Sequence, residues 1–225
     1  MIIPPAAVAL TLLWGTVVGL DLVSVPQGLL SRPLIAAGIA GLAVGDLSSG
    51  LLAGMVLELY ALDVLPIGAS RYPDFSVAAV AGGVAAALVP ASVAVGVAGL
   101  VALPLAALGG WTLQKLRRRN ALSVQRRLER VARGDGKAIW ELQRNGFLRD
   151  AVRSFALATL GLAVAILAAA FPWEGVDHGQ VLSWAVLAGG IAAALGGAIR
   201  SAGHGGRRHW LALGVAAGLL VVLWR

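Results

Sequence analysis

Residues 31–74 read SRPLIAAGIAGLAVGDLSSGLLAGMVLELYALDVLPIGASRYPD. Their apolar runs are too short for ordinary membrane spans and too apolar for solvated loops. Pro33 to Gly45 is 13 residues, about 20 Å as a helix, against a hydrocarbon core of roughly 30 Å, so it is expected to turn back before crossing. Ser48 to Leu65 is nearly long enough, but it carries Glu58 and Asp63 and stops at Pro66. Short segments interrupted by Gly and Pro are tolerated at membrane depth only inside protein or beside a water-filled cavity. In transporters they point to the binding site.

The rest of the chain supplies the membrane. Of 225 residues, 59 % are apolar and only 13 % charged, with a mean hydropathy of +0.85; a soluble domain is roughly 45–50 % apolar and about 25 % charged. That excludes a soluble globular protein, and the low charge excludes a disordered one. With no cysteine, disulfides, thiolate metal sites and cysteine nucleophiles are excluded as well. Met1 to Leu20 has no basic n-region or clear cleavage site and reads as a retained first helix. Phe75 to Val89 and Ser92 to Leu108 are apolar stretches separated by Pro90, the second expected to break at Pro104. Val152 to Phe171, Val181 to Ile199 and Trp210 to Trp224 read as spans, with Trp111, Trp173, Trp210 and Trp224 at span ends as an aromatic belt. The fold expected is an all-α polytopic membrane protein with several transmembrane helices and short re-entrant or broken hairpin segments.

Charge divides the chain. Of 18 Lys and Arg residues, 12 lie between Lys115 and Arg153. A basic loop flanked by spans is a positive-inside signal rather than a nucleic-acid groove. The Arg200 to Arg208 loop belongs on the same side. Three regions follow: residues 1–113, an N-terminal membrane half; 114–150, a basic cytoplasmic helical loop broken at Gly134-Asp135-Gly136; and 151–225, a C-terminal membrane half of about three spans. In the first half, Asp21, Asp46, Glu58, Asp63 and Asp74 oppose only Arg32 and Arg71. Five carboxylates in so apolar a region imply a polar interior, because each costs about 2.5–3.5 kcal/mol or more at mid-membrane.

These carboxylates differ. Asp46 stands where it can cap the helix starting near Ser49, and Asp74 opens the next apolar run at a good N-cap position. Arg32 suits an interfacial anchor. Glu58 has no such role in sight and is expected to line a polar site. An enzyme is not expected. His178, His204 and His209 lack the i, i+4 spacing of a zinc protease, no phosphate-cradling Gly-rich loop with Lys is present, and Gly41 to Asp46 departs from the intramembrane aspartyl protease motif at Ala43. No metal or cofactor site is expected.

The run Ser31-Arg32-Pro33-Leu34-Ile35-Ala36, then Gly41, Gly45-Asp46, Gly50, Gly54, Leu57-Glu58, Ile67-Gly68-Ala69 and Pro73-Asp74, resembles the conserved core of the IIC subunit of the mannose/fructose/sorbose family of bacterial phosphotransferase-system permeases. The resemblance implies a sugar-conducting subunit in the bacterial inner membrane, working with a IID membrane subunit and with IIA and IIB phosphocarriers, in an oligomeric complex. It implies sugar contacts at Glu58, Asp74 and Gln27. Arg32, Pro33, Gly45, Asp46, Gly50, Gly54, Gly68 and Pro73 would be motif positions. Tyr60, Tyr72 and Phe75 would supply either a stacking face or ordinary packing. Asp63 stands where the family usually has glycine and Ser49 where it commonly has threonine. The Asp63 departure leaves open a second possibility, an orphan scaffold or sensor of the same fold without translocation.

Overall fold

A computed structural model describes residues 3–25, 27–64, 71–173 and 179–202, all as helix or connecting turn. The helices are α1 (Pro5–Val23), α2 (Pro33–Ala43), α3 (Leu47–Ala61), α4 (Phe75–Ala87), α5 (Ala94–Gln125), α6 (Leu128–Ala132), α7 (Gly136–Ala169) and α8 (Gly179–Ala202). Four of them, α1, α5, α7 and α8, are long and apolar enough to cross a membrane. The chain is a multi-pass α-helical membrane protein.

The three short apolar helices α2, α3 and α4 lie among the long ones. In α4 every residue from Phe75 to Ala86 is buried, and the helix touches α1, α2, α3, α5 and α7. A helix apolar on all sides belongs in an interior. At 13 residues α4 is about 20 Å long, too short to span, and its unsatisfied ends are covered by protein instead of lipid.

Helices α2 and α3 form a hairpin. The chain reverses at Gly45, whose φ of +98° is costly for any residue with a Cβ. Asp46 then caps α3, accepting a hydrogen bond from Ser49 N at 3.0 Å. The two helices meet through glycine: a Cβ built on Gly50 would stand 2.6 Å from Ala37 O and 2.9 Å from Gly41 Cα, and one on Gly54 would stand 2.8 Å from Leu34 Cα. Close backbone approach through small residues is the usual packing of membrane helices. The open end of the hairpin lies with the C-terminus of α1, and its tip points to the end where α5 and α8 begin. This is the re-entrant geometry expected of so short an apolar pair.

Helix α1 runs antiparallel to α7, Gly15 facing Ala158, Gly19 facing Ser154 and Ser24 bonding Asp150. Helix α8 packs on α5 at Gly96 and Gly99, then on α3, where Gly197 sits against Asp63. Arg200 pairs with Asp63, which brings the end of α8 to the same end of the bundle as the basic segment.

One expectation is corrected. Pro104 does not break its segment, since α5 continues through it for 32 residues; neighbouring helices stabilise a proline-containing helix within a membrane bundle. Within residues 114–150, α5 continues to Gln125 and α7 begins at Gly136, so the bounds at 113/114 and 150/151 lie inside continuous helices. The break at Gly134 is present, with φ +73° and Asp135 capping α7 through Lys137 N and Ala138 N. The span Trp210 to Trp224, the three histidines and Gly68 lie outside the described residues.

Candidate functional site

At the basic end of the bundle, the mouth of the hairpin faces the segment leading into α4. Between them lies a cleft of about 280 Å³, lined among others by Gln27, Ser31, Arg32, Tyr72, Phe75 and Ser76. A second hollow of about 460 Å³ shares Val64, Tyr72, Pro73 and Phe75 with it and adds Tyr60, Asp63 and Arg71. Tyr72 and Phe75 therefore stand between two hollows of mixed polar and apolar lining. The smaller lies near the lower bound of ordinary small-molecule pockets, about 300 Å³.

The near wall is built by Asp21. Its carboxylate, 2 % exposed, accepts from Gly28 N at 2.6 Å and Ser31 N at 2.8 Å, folding residues 27–31 back over the end of α1. Leu29 is left with φ +65°, a conformation disfavoured for a bulky side chain. Local strain of this kind persists where surrounding contacts impose it, and here it presents Gln27 and Ser31 to the cleft. Gln27 itself is exposed and donates to Leu22 O at 3.1 Å.

Glu58 ties the hairpin shut. It forms an ion pair with Arg32 and accepts from Leu34 N at 3.2 Å, so its carboxylate sits at the N-terminus of α2, where unpaired N–H groups and the helix dipole favour negative charge. Arg32 is thus the partner of Glu58, a cross-segment pairing that spacing along either helix could not reveal. Its guanidinium lines the cleft.

Asp74 is placed differently. It is 2 % exposed, caps α4 through Ser76 N at 3.0 Å, bonds the Ser76 hydroxyl and pairs with Arg153 Nη1 at 2.8 Å. Arg153 also donates from Nε to Asp150 Oδ1 at 2.9 Å, and Asp150 takes the Ser24 hydroxyl. This chain of buried polar groups joins α1, α4 and α7. Asp74 is therefore near the cleft wall but engaged away from it; Gln27 and Arg32 line the cleft, and Glu58 stands behind Arg32 as its ion-pair partner. Asp21, Asp150 and Arg153 had no place among the site candidates. Arg153 and Asp150 were hidden within a run of basic-loop charges; the one available signal was their i, i+3 spacing at the edge of an apolar run.

The far compartment is closed by aromatic and charged groups. Tyr60 donates to Val186 O at 2.7 Å and its ring tilts against Phe75 with centroids 6.4 Å apart. Arg117, from the extension of α5, lies over the Tyr72 ring at 4.8 Å and bonds its hydroxyl. Across the hollow, Asp63 holds Arg200 of α8. Amide, hydroxyl, carboxylate and guanidinium groups together offer donors and acceptors around an aromatic divider. Such a lining suits a small polyhydroxylated ligand.

Comparison with known proteins identifies a family. The family model described as "PTS system sorbose-specific iic component" matches residues 6–202. The sorbose-specific EIIC component of Klebsiella pneumoniae is 41 % identical over 78 residues, which is 35 % of this chain and 29 % of that protein. Its counterpart in Lacticaseibacillus casei is 34 % identical over 132 residues, 59 % of this chain and 46 % of that protein. The chain thus spans less than half the length of these relatives. The cryo-EM structure of the mannose transporter ManYZ in complex with microcin E492 superposes with a TM-score of 0.60 over 100 % of this chain and 96 % of that one, at 22 % identity, and the two share a fold.

Proposed function

The chain belongs to the family of sorbose-specific IIC components of the phosphotransferase system, and from that premise we propose that it is a sugar-translocating membrane subunit. It binds a hexose-type sugar at the cleft beside the hairpin mouth and passes it inward for phosphorylation by a IIB phosphocarrier. The observation that carries this reading is the family match over residues 6–202 coinciding with a polar cleft at the mouth of a re-entrant hairpin.

In this reading Gln27 and Glu58, with Arg32, contact sugar hydroxyls, since charged groups make the stronger hydrogen bonds to them. Asp74 contributes as the buried anchor of the cleft wall. Gly45, Gly50 and Gly54 let the hairpin fold tightly, Asp46 caps it, and Pro33 and Pro73 set the chain direction at either side of the mouth. The subunit performs no phosphoryl transfer of its own. It works with a IID membrane subunit and with IIA and IIB, in the bacterial inner membrane, with the basic end cytoplasmic as the positive-inside rule directs.

One feature favours a second reading. The Asp63–Arg200 pair ties α3 to α8 beside the far compartment, and a tie there suits a scaffold or sensor that has kept the fold and lost translocation. Membrane vesicles holding the chain with its co-expressed IID, IIA and IIB partners separate the two. Group translocation gives sugar phosphate inside the vesicle that depends on phosphoenolpyruvate; simple transport gives free sugar; a scaffold gives neither.

A further inference from the structure

The extensions of α5 and α7 beyond the bundle enclose a pocket that the sugar pathway does not use. It measures about 520 Å³ and is lined among others by Ser24, Asn120, Trp140, Arg144, Phe147 and Arg149. We propose that it binds the phosphate-bearing headgroup of an anionic phospholipid.

Depth is the first argument. A span of about 20 residues counted back from Ala169 ends at Asp150, and Ser24, at the C-cap of α1, bonds Asp150 at the same level. Arg149 therefore stands at the edge of the hydrocarbon, and Arg144, five residues further, about 8 Å beyond, within or just past the headgroup layer. The pocket opens onto the zone where lipid phosphates lie.

Its chemistry is the second. Arg149 is held by Asn120 Oδ1 at 3.1 Å and Ser123 Oγ at 2.9 Å, an uncharged setting that fixes the guanidinium and leaves its charge unneutralised by them. Arg144 is exposed, with no ion-pair partner among the described residues. Two such guanidinium groups suit a phosphate. On the same extensions Arg127 pairs with Glu141 and Arg130 with Asp135.

The third is the exposed apolar surface beside them. Trp140 is 62 % and Phe147 43 % exposed, on a segment otherwise rich in charge. Aromatic side chains next to basic ones are a membrane-interface pattern; Phe147, two residues from Arg149, offers glycerol and upper acyl carbons an apolar contact, and Trp140, about 14 Å beyond Arg149 along the helix, lines the outer part of the pocket.

Native mass spectrometry of the full chain, released from detergent containing equal phosphatidylglycerol and phosphatidylcholine, tests this. Retained phosphatidylglycerol is expected to exceed phosphatidylcholine, and Arg144→Gln is expected to reduce that excess about fivefold, the effect of roughly one basic contact. Arg144→Gln with Arg149→Gln should abolish it. Gly146→Phe, which keeps every charge and fills the pocket beside Asn120, should abolish it too. Arg126→Gln with Lys137→Gln, the same charge loss at the tip of the extensions, should leave it intact. No preference in the wild type, equal loss in the tip variant, or retention in Gly146→Phe would each overturn the proposal. Displacement of the lipid by millimolar inorganic phosphate would do so as well, by showing a site for a free anion.

Discussion

Arg153 of α7 reaches Asp74 at the start of α4, Nη1 to Oδ2 at 2.8 Å, across 79 positions of sequence. Both side chains are almost fully buried, and Asp150 shares the guanidinium. A buried pair need not stabilise relative to an apolar one, but removing one partner leaves an uncompensated charge.

Arg153→Ala is therefore expected to cost about 3–5 kcal/mol, read as a large drop in thermal stability in detergent. Asp74→Asn, which preserves an acceptor and the shape of the cap, should cost less. Equal stability of Arg153→Ala and wild type would show that the pair is not closed in the membrane.

The α2–α3 hairpin should be intolerant of side chains at its seam. Gly50→Val places methyl groups against Ala37 O and Gly41, where backbone cannot yield cheaply, and an overpacking cost of about 1–3 kcal/mol is expected. Gly196→Ala, where a Cβ meets nothing within 4 Å, is the control on the same molecule. Protease resistance of the folded protein in detergent compares the two.

The start of α7 should respond to acid. Hydrogen bonds from Ala138 N and Arg130 hold the Asp135 carboxyl below its usual range, so its contribution is present above the ordinary carboxylate pKa and is lost as pH falls through the lowered one. Amide hydrogen exchange at residues 137–140, corrected for its intrinsic pH dependence, should show protection at neutral pH that fades in acid. In Asp135→Ala the protection should already be low at neutral pH and change little with pH.

The Asp63–Arg200 pair separates stability from function. It is partly exposed on both sides, so Asp63→Gly, the residue common in the family at this position, should change stability by about 1 kcal/mol or less. Under the transport reading its uptake should equal or exceed that of the wild type. Under the scaffold reading, releasing α8 from α3 is expected to raise uptake from nothing.

How much of this was legible in the sequence depended on range. The shortness of the Pro33 to Gly45 run, the turn at Gly45 and the Asp46 and Asp74 caps are local, so spacing and residue type carried them. Pro104 misled because proline's effect on a helix depends on what surrounds it, and inside a bundle the freed carbonyl has neighbours. Glu58 was legible as an acidic residue without a local partner, but the partner, Arg32, stands just ahead of another helix. Arg153 was indistinguishable from eleven other basic residues between 115 and 153 until the fold put it beside Asp74. Asp21 was legible only as one of five carboxylates in an apolar half, since its partners are backbone N–H groups of a loop it folds.

The most direct test of the central claim is phosphoenolpyruvate-dependent accumulation of sugar phosphate in vesicles carrying the assembled complex, wild type against Glu58→Gln. Gln keeps the bond from Leu34 N and the size of the side chain, while the charge paired with Arg32 at the cleft is removed. Assembly is checked by co-purification with the IID subunit. A fall of about tenfold or more, as expected when a charge-assisted hydrogen bond worth about 1.5–3 kcal/mol is lost, is predicted with assembly intact. Accumulation at the wild-type rate by a correctly assembled Glu58→Gln complex would contradict the account.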